Sequence, residues 1–158
     1  MKPKFIDNAS VEKIIREYLP QVIHMSLATC RDGRPWVCEV HYVFDDELNL
    51  YFHSTMARRH SKEIADNPYV AGDIVTQHSL GEKPRGVYFE GKAELLKDVD
   101  ENNPVYKLFC DRFDKDEEIL EDANKDDGHK FYKISVDKFY LFDTRESKPS
   151  RKYELDWS

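Results

Sequence analysis

The feature that most restricts the fold is a pair of apolar runs with a five-residue turn between them. Val22–Thr29 reads VIHMSLAT and Trp36–Phe44 reads WVCEVHYVF. Between them stands Arg31-Asp32-Gly33-Arg34-Pro35, where Asp-Gly supplies the positive φ of a tight reversal. Two strands joined this way are antiparallel neighbours. In the second run, Trp36, Cys38, Val40, Tyr42 and Phe44 alternate with Val37, Glu39, His41 and Val43. The first run is apolar or small on both sides, as in a strand buried on two faces.

The pattern continues along the chain. Asp45-Asp46-Glu47 turns it into a third strand, Leu48–Phe52, and Tyr69–Thr76 reads as a fourth, in which Gly72 marks a bulge or a close backbone approach. Gln77–Arg85 is a polar loop. Gly86–Leu96 is a fifth strand interrupted by Gly91, and Lys130–Asp143 a last strand with a break near Asp137-Lys138. Helices are few. One is capped by Ser10 and ended by Pro20, one lies between Thr55 and Asn67-Pro68, and one starts at Asn103-Pro104 with Val105, Leu108, Phe109 and Phe113 as its stripe. Tyr153, Leu155 and Trp157 predict that the tail Thr144–Ser158 docks. These elements predict a mainly β fold, a small antiparallel barrel with a few helices, because closure removes exposed strand edges. At 158 residues with no linker, residues 1–158 form a single domain.

Charge narrows the partners. The net charge of −7 argues against non-specific nucleic-acid binding. Residues 111–127 hold nine acids against three bases, six of those seven charges, so the remainder of the chain is nearly neutral. This acidic run reads as a solvated helix or loop anchored by Ile119 and Leu120. No apolar stretch reaches the length of a membrane span, about 18 residues. The three cysteines, Cys30, Cys38 and Cys110, show no CxxC spacing, and the six histidines form no HExxH. The expectation is a reduced, cytoplasmic protein with no dedicated metal site. Cys30 and Cys38 flank the hairpin and could face each other, which leaves a redox pair open.

The stretch with most chemistry is Tyr51–Pro68, YFHSTMARRHSKEIADNP. Arg58, Arg59 and His60 fall at the start of a helix, where the positive end of the dipole favours acids. With Ser54, Thr55 and Ser61 nearby, this is the composition of an anion site and fits a phosphate; it is equally the composition of a solvated basic turn.

Three segments in order carry a resemblance: LATCRDGRPWVCEVHYVFDDELNLYFHS, ARRHSKEIADNPYVAGDIV and RGVYFEGKAELL. Together they resemble the pyridoxamine 5′-phosphate oxidase-like family of FMN-binding split barrels, over Met25–Leu96 most clearly. The resemblance implies a six-stranded split barrel that forms a homodimer and binds FMN at the subunit interface. By the same resemblance Arg59 and His60 match the basic pair that holds the FMN phosphate. Arg58 takes the place of a small hydroxyl residue, and His53 and Ser54 lie beside the flavin. Val37, Cys38, Glu39 and Val40 offer their backbone to the isoalloxazine ring, Tyr42 lies near the place of a basic residue, and Gly86 replaces a glutamine. The resemblance implies an FMN-dependent oxidoreductase or flavin reductase acting on a small molecule, with NAD(P)H a plausible reductant. The alternative is a non-catalytic module that binds flavin or haem; deazaflavin is a further ligand of such barrels. No general base stands out. His53 and Tyr42 are the polar side chains nearest the expected ring. The C-terminal DTRESKPSRKYELDWS has no Arg-x-His triplet, which argues against pyridoxamine phosphate as substrate.

Overall fold

The computed structural model describes residues 6–144 and 151–157, the side chain of Arg151 excepted. The elements are α1 (Asn8–Tyr18), β1 (His24–Arg31), β2 (Arg34–Phe44), β3 (Leu50–Thr55), α2 (Arg59–Asp66), β4 (Tyr69–Val75), β5 (Arg85–Leu95), α3 (Pro104–Phe113), α4 (Glu118–Ala123), β6 (His129–Asp143) and β7 (Arg151–Glu154). The strands form one antiparallel sheet in the order β3-β2-β1-β4-β5-β6-β7, and β3 also pairs with β6. That second pairing closes the first six strands into a barrel. β7 is one strand more than the expected six and lies outside the ring, on β6.

The closure is incomplete, and the gap has a definite place. β2 pairs with β1 from His41 to Arg34, yet with β3 only through Tyr42, Val43 and Phe44. From Trp36 to His41, β2 therefore has a strand on one side alone among the described residues. Its burial follows the two-residue period: Cys38 and Val40 are partly buried and Tyr42 fully, while Val37, Glu39 and His41 stand outside.

The barrel is filled by Met25, Leu27, Tyr42, Leu50, Phe52, Ile74, Phe89, Ile134, Phe139 and Leu141, all at 2% exposure or less. A second, smaller core lies outside it, where Val105 and Phe109 of α3 and Ile119 of α4 cover Val43, Tyr51 and Phe131. The acidic run thus has an ordered, partly buried underside.

Several local readings become specific. Gly72 is a close approach: a Cβ there would lie 2.2 Å from the Ser26 carbonyl oxygen and 2.5 Å from Phe89 Cζ. The two breaks expected at Gly91 and near Asp137 are one bulge. Glu90 pairs with Lys138 and Gly91 with Val136, so Asp137 is the extra residue. Asp7, not Ser10, caps α1, its carboxylate accepting from the Ser10 N–H at 2.7 Å. Cys30 stands opposite Pro35 and Cys38 opposite Leu27, so the redox pair left open as an alternative does not form; Cys30, Cys38 and Cys110 are free. The expected docking tail is seen through Leu155, buried to 1%, and Trp157, whose ring centroid is 6.0 Å from that of Phe139. Residues 145–150 and 158 of that tail lie outside the described residues. No helix among the described residues is long and apolar enough to cross a membrane.

Candidate functional site

The site is built where α2 meets the unpaired length of β2. Two contacts hold α2 down at its far end. Arg31 pairs with Asp66 at 2.8 Å, and the Asn67 side-chain amide donates to the Cys30 carbonyl at 2.9 Å. The N-terminal end is the open one. Its N-cap residue is Arg58, with no side-chain cap, and no acid stands in the first turn. The leading N–H groups of a helix have no partner within it, so those of Arg59, His60 and Ser61 remain to be satisfied. The strand expected to end at Phe52 runs on through His53, Ser54 and Thr55, the last residues of β3.

The basic pair Arg59 and His60 is divided by the fold. His60 turns inward and is 7% exposed. Its Nε2 is 2.7 Å from Ser54 Oγ and its Nδ1 is 3.3 Å from Cys38 Sγ. Burial, and then the Arg58 charge, lower its pKa below the usual histidine value. The ring is therefore neutral at pH 7, one nitrogen donating and the other accepting. It ties β2, β3 and α2 together and contributes no charge to the site. Cys38, on the same chain of contacts, has its thiol pKa raised by burial and then by Glu63. A thiol in that state is a poor nucleophile.

Arg59 turns outward. Its guanidinium lies 4.2 Å from the centre of the Trp36 ring, and its Nε donates to Glu63 Oε1 at 3.2 Å. Among the described residues neither terminal nitrogen has a hydrogen-bond partner, and about half the side chain is exposed. Glu63 is 3% exposed and also accepts from the Thr29 hydroxyl at 2.6 Å. The Thr29 bond first, and Arg59 after it, hold that carboxyl below the usual carboxylate range. A fixed Glu63 thus orients Arg59. Neither Glu63 nor Trp36 stood out in the sequence, although the i,i+4 spacing of Arg59 and Glu63 was a usable signal.

An open groove of about 690 Å³ runs beside this pair, lined by Arg31, Asp32 and Arg34 of the β1–β2 hairpin and by Arg59, Lys62 and Glu63 of α2. Ser61 Oγ does not line the groove: it is buried with no hydrogen-bond partner among the described residues, although the Tyr132 hydroxyl is near enough for its ionisation to be affected.

The other expected residues are distributed as follows. Cys38, Ser54, Arg58, Arg59 and His60 come together. Val37 and Glu39 lie on the outer side of the same strand and Val40 beside Cys38 on the inner side. Tyr42 does not join them. It is fully buried, its hydroxyl donates to the Leu19 carbonyl at 2.6 Å, and burial raises its pKa to about 12. Arg112 covers its ring at 4.7 Å, so a basic group is present there from another element. His53 faces the opposite way from Ser54, into the small outer core against Phe109 and Phe131. Its Nε2 is buried without a partner, and burial, then the His129 charge, lower its pKa to about 4. Neither side chain is therefore placed as a proton donor to the open edge. Gly86 sits within the sheet between Val75 and Phe142, two strands beyond β1.

The sequence model of the family described as pyridoxamine 5′-phosphate oxidase matches residues 11–143. A UPF0306 protein of Photorhabdus laumondii is 30% identical over 103 residues, covering 64% of this chain and 71% of that one. Among solved structures, a FAD-binding protein from Mesorhizobium loti superposes with a TM-score of 0.62 at 21% identity, covering 82% of this chain and 90% of that one. A haem-binding protein from Mycobacterium smegmatis gives 0.70 at 16% identity, covering 95% of this chain and 58% of that one. At these identities the structural likenesses describe the fold, a split barrel.

Proposed function

The chain belongs to the pyridoxamine 5′-phosphate oxidase family, and from that premise we propose that it binds FMN and serves as a flavin-dependent oxidoreductase or flavin reductase for a small molecule. The observation that carries the reading is the uncapped, acid-free N-terminus of α2, with Arg59 oriented beside it and its terminal nitrogens free. An anion gains there from the dipole and from charge-assisted hydrogen bonds. The phosphate end of FMN fits this donor set. Arg59 and Arg58 would supply charge, and the N–H groups of Arg59, His60 and Ser61 would supply direct bonds. The unpaired backbone of β2 from Val37 to Val40 would lie along the ring, and the Cys38–His60–Ser54 chain would hold that strand against α2. FMN supplies the electron transfer; the protein supplies position and exclusion of water. Exposed Trp36 and Val37, at 40% and 60%, favour a second copy of the chain across this edge, so that both chains line each flavin.

The test is a paired titration of wild type and Arg59→Ala with FMN and with riboflavin. Hydrogen bonds to charged groups contribute about 1.5–3 kcal/mol each. Loss of Arg59 should therefore weaken FMN about ten- to a hundredfold, at 1.4 kcal/mol per factor of ten. Riboflavin, lacking the phosphate, should change little. Equal losses for both ligands, or none for either, would remove Arg59 from a phosphate site. A Soret band in the protein as isolated would instead favour a haem-binding role.

A further inference from the structure

The groove beside Arg59 is larger than one phosphate requires, and its charges are not all used. Arg31 is paired with Asp66 and Arg59 with Glu63. Arg34 and Lys62 line the same groove from the hairpin and from α2, and among the described residues neither has an ion-pair or hydrogen-bond partner for its side chain. Cations that face one groove without ion-pair partners are stabilised by an anion bound between them.

The groove is not uniformly basic. Asp32, held in the tight turn at φ 52°, lines it beside Arg34. A carboxylate there would repel a bare polyphosphate, but it is an acceptor suited to sugar hydroxyls. Arginine offers a planar fork to a phosphate and lysine a point charge. Together they make a strip with phosphate donors and one hydroxyl acceptor.

We propose that this groove binds the adenosine diphosphate portion of a dinucleotide, with Arg34 and Lys62 on its phosphates and Asp32 on its ribose. The assignment rests on the flavin reading only for what lies next to it. Two molecules carry this portion: FAD, whose flavin would occupy the neighbouring site, and a nicotinamide dinucleotide, which would reduce a flavin already bound there.

The experiment is calorimetric titration of the flavin-free full chain with ADP and adenosine, repeated on Arg34→Gln, Lys62→Gln and, as a distant control, Lys13→Gln. ADP should bind once per chain and weaken about tenfold in each groove variant, as expected when one charge-assisted hydrogen bond is removed. Adenosine should not saturate, and Lys13→Gln should match wild type. Absence of ADP binding, equal binding of adenosine, or an equal loss in Lys13→Gln would overturn the assignment. Both groove side chains are exposed, so the variants should melt as wild type does.

FMN titrated into the same proteins separates this inference from the one it adjoins. Failure of FMN with ADP binding intact would overturn the flavin reading alone; failure of ADP with FMN intact would overturn the groove alone. If FAD binds more tightly than FMN, and Arg34→Gln removes the difference, the groove holds the adenine end of the flavin. If FAD gains nothing over FMN and ADP binds alongside FMN, it holds the nicotinamide dinucleotide.

Discussion

His53→Phe should make this protein more stable and should flatten its acid limb. The imidazole packs against Phe109, Phe131 and His129, with ring centroids 5.8, 4.8 and 5.2 Å away. Its Nε2 is buried with no partner, so in the neutral state it already carries the penalty of an unmade hydrogen bond, about 1–3 kcal/mol. A phenyl ring of similar shape removes that penalty. The charged state is worse. Around the ring stand the His129 and Lys115 charges, which oppose a further proton, and the His129 backbone and then Asp122, which favour one, Asp122 being already bonded to His129 at 2.9 Å.

In the fold the group titrates at about 4, against an ordinary 6.5. A depressed value means the unfolded chain binds the proton first. Stability is complete above pH 6.5 and falls as the pH drops towards 4. At 1.36 kcal/mol per pH unit the gap gives about 3.4 kcal/mol as an upper bound. The ring is not wholly sealed, and about 2 kcal/mol is the discounted expectation. The measurement is urea unfolding of both proteins at pH 7.5, 6, 5 and 4. The substitution should add about 1 kcal/mol at pH 7.5, the lower end of the unmade-bond penalty. By pH 4 the two curves should separate by about 2 kcal/mol more. Parallel curves, or a destabilised variant at pH 7.5, would refute the reasoning.

Gly72→Ala should cost about 1–3 kcal/mol or more, because its Cβ would meet the Ser26 carbonyl at 2.2 Å and the Phe89 ring at 2.5 Å; thermal unfolding checks this, and an unchanged midpoint would mean that β1 and β4 yield freely. If ligand and partner share one site, as proposed, the chain should run in sedimentation as a homodimer whose association tightens when FMN is added. A monomer that binds one FMN per chain would sink the shared site.

The barrel was legible because period-two patterning and tight turns survive in a single sequence. The hairpin at Asp32-Gly33 and the helix at Asn103-Pro104 both stand where turn and cap chemistry put them. The bulge was half legible: Gly91 and Asp137 marked two irregularities, and only pairing showed them to be one. The site was harder. Sequence placed Arg59 and His60 side by side, but adjacent helical residues lie about 100° apart around the axis, so one entered the barrel mouth and the other left it. His53 and Ser54 were divided by the strand's alternation in the same way. The burial of Tyr42 left no local signal, because its partner at Leu19 is 23 positions away. Arg112, 93 positions from Leu19 whose carbonyl it also reaches, left no sequence signal at all.

The closing pair of strands has a consequence for how the chain reaches this structure. β3 and β6 join Leu50 to Ile134 and Thr55 to His129, so the ring shuts through residues far apart in the chain. Such closures lose loop entropy before their hydrogen bonds return anything, and chains dominated by them cross the folding barrier slowly. The hairpin of β1 and β2 has no such delay. During folding it therefore exists with both edges bare. The β1 edge is later taken by β4, whereas β3 covers the β2 edge only from Tyr42 to Phe44. The β2 edge that β3 leaves uncovered in the native fold thus belongs to a local hairpin, the kind of element whose closure costs least loop entropy.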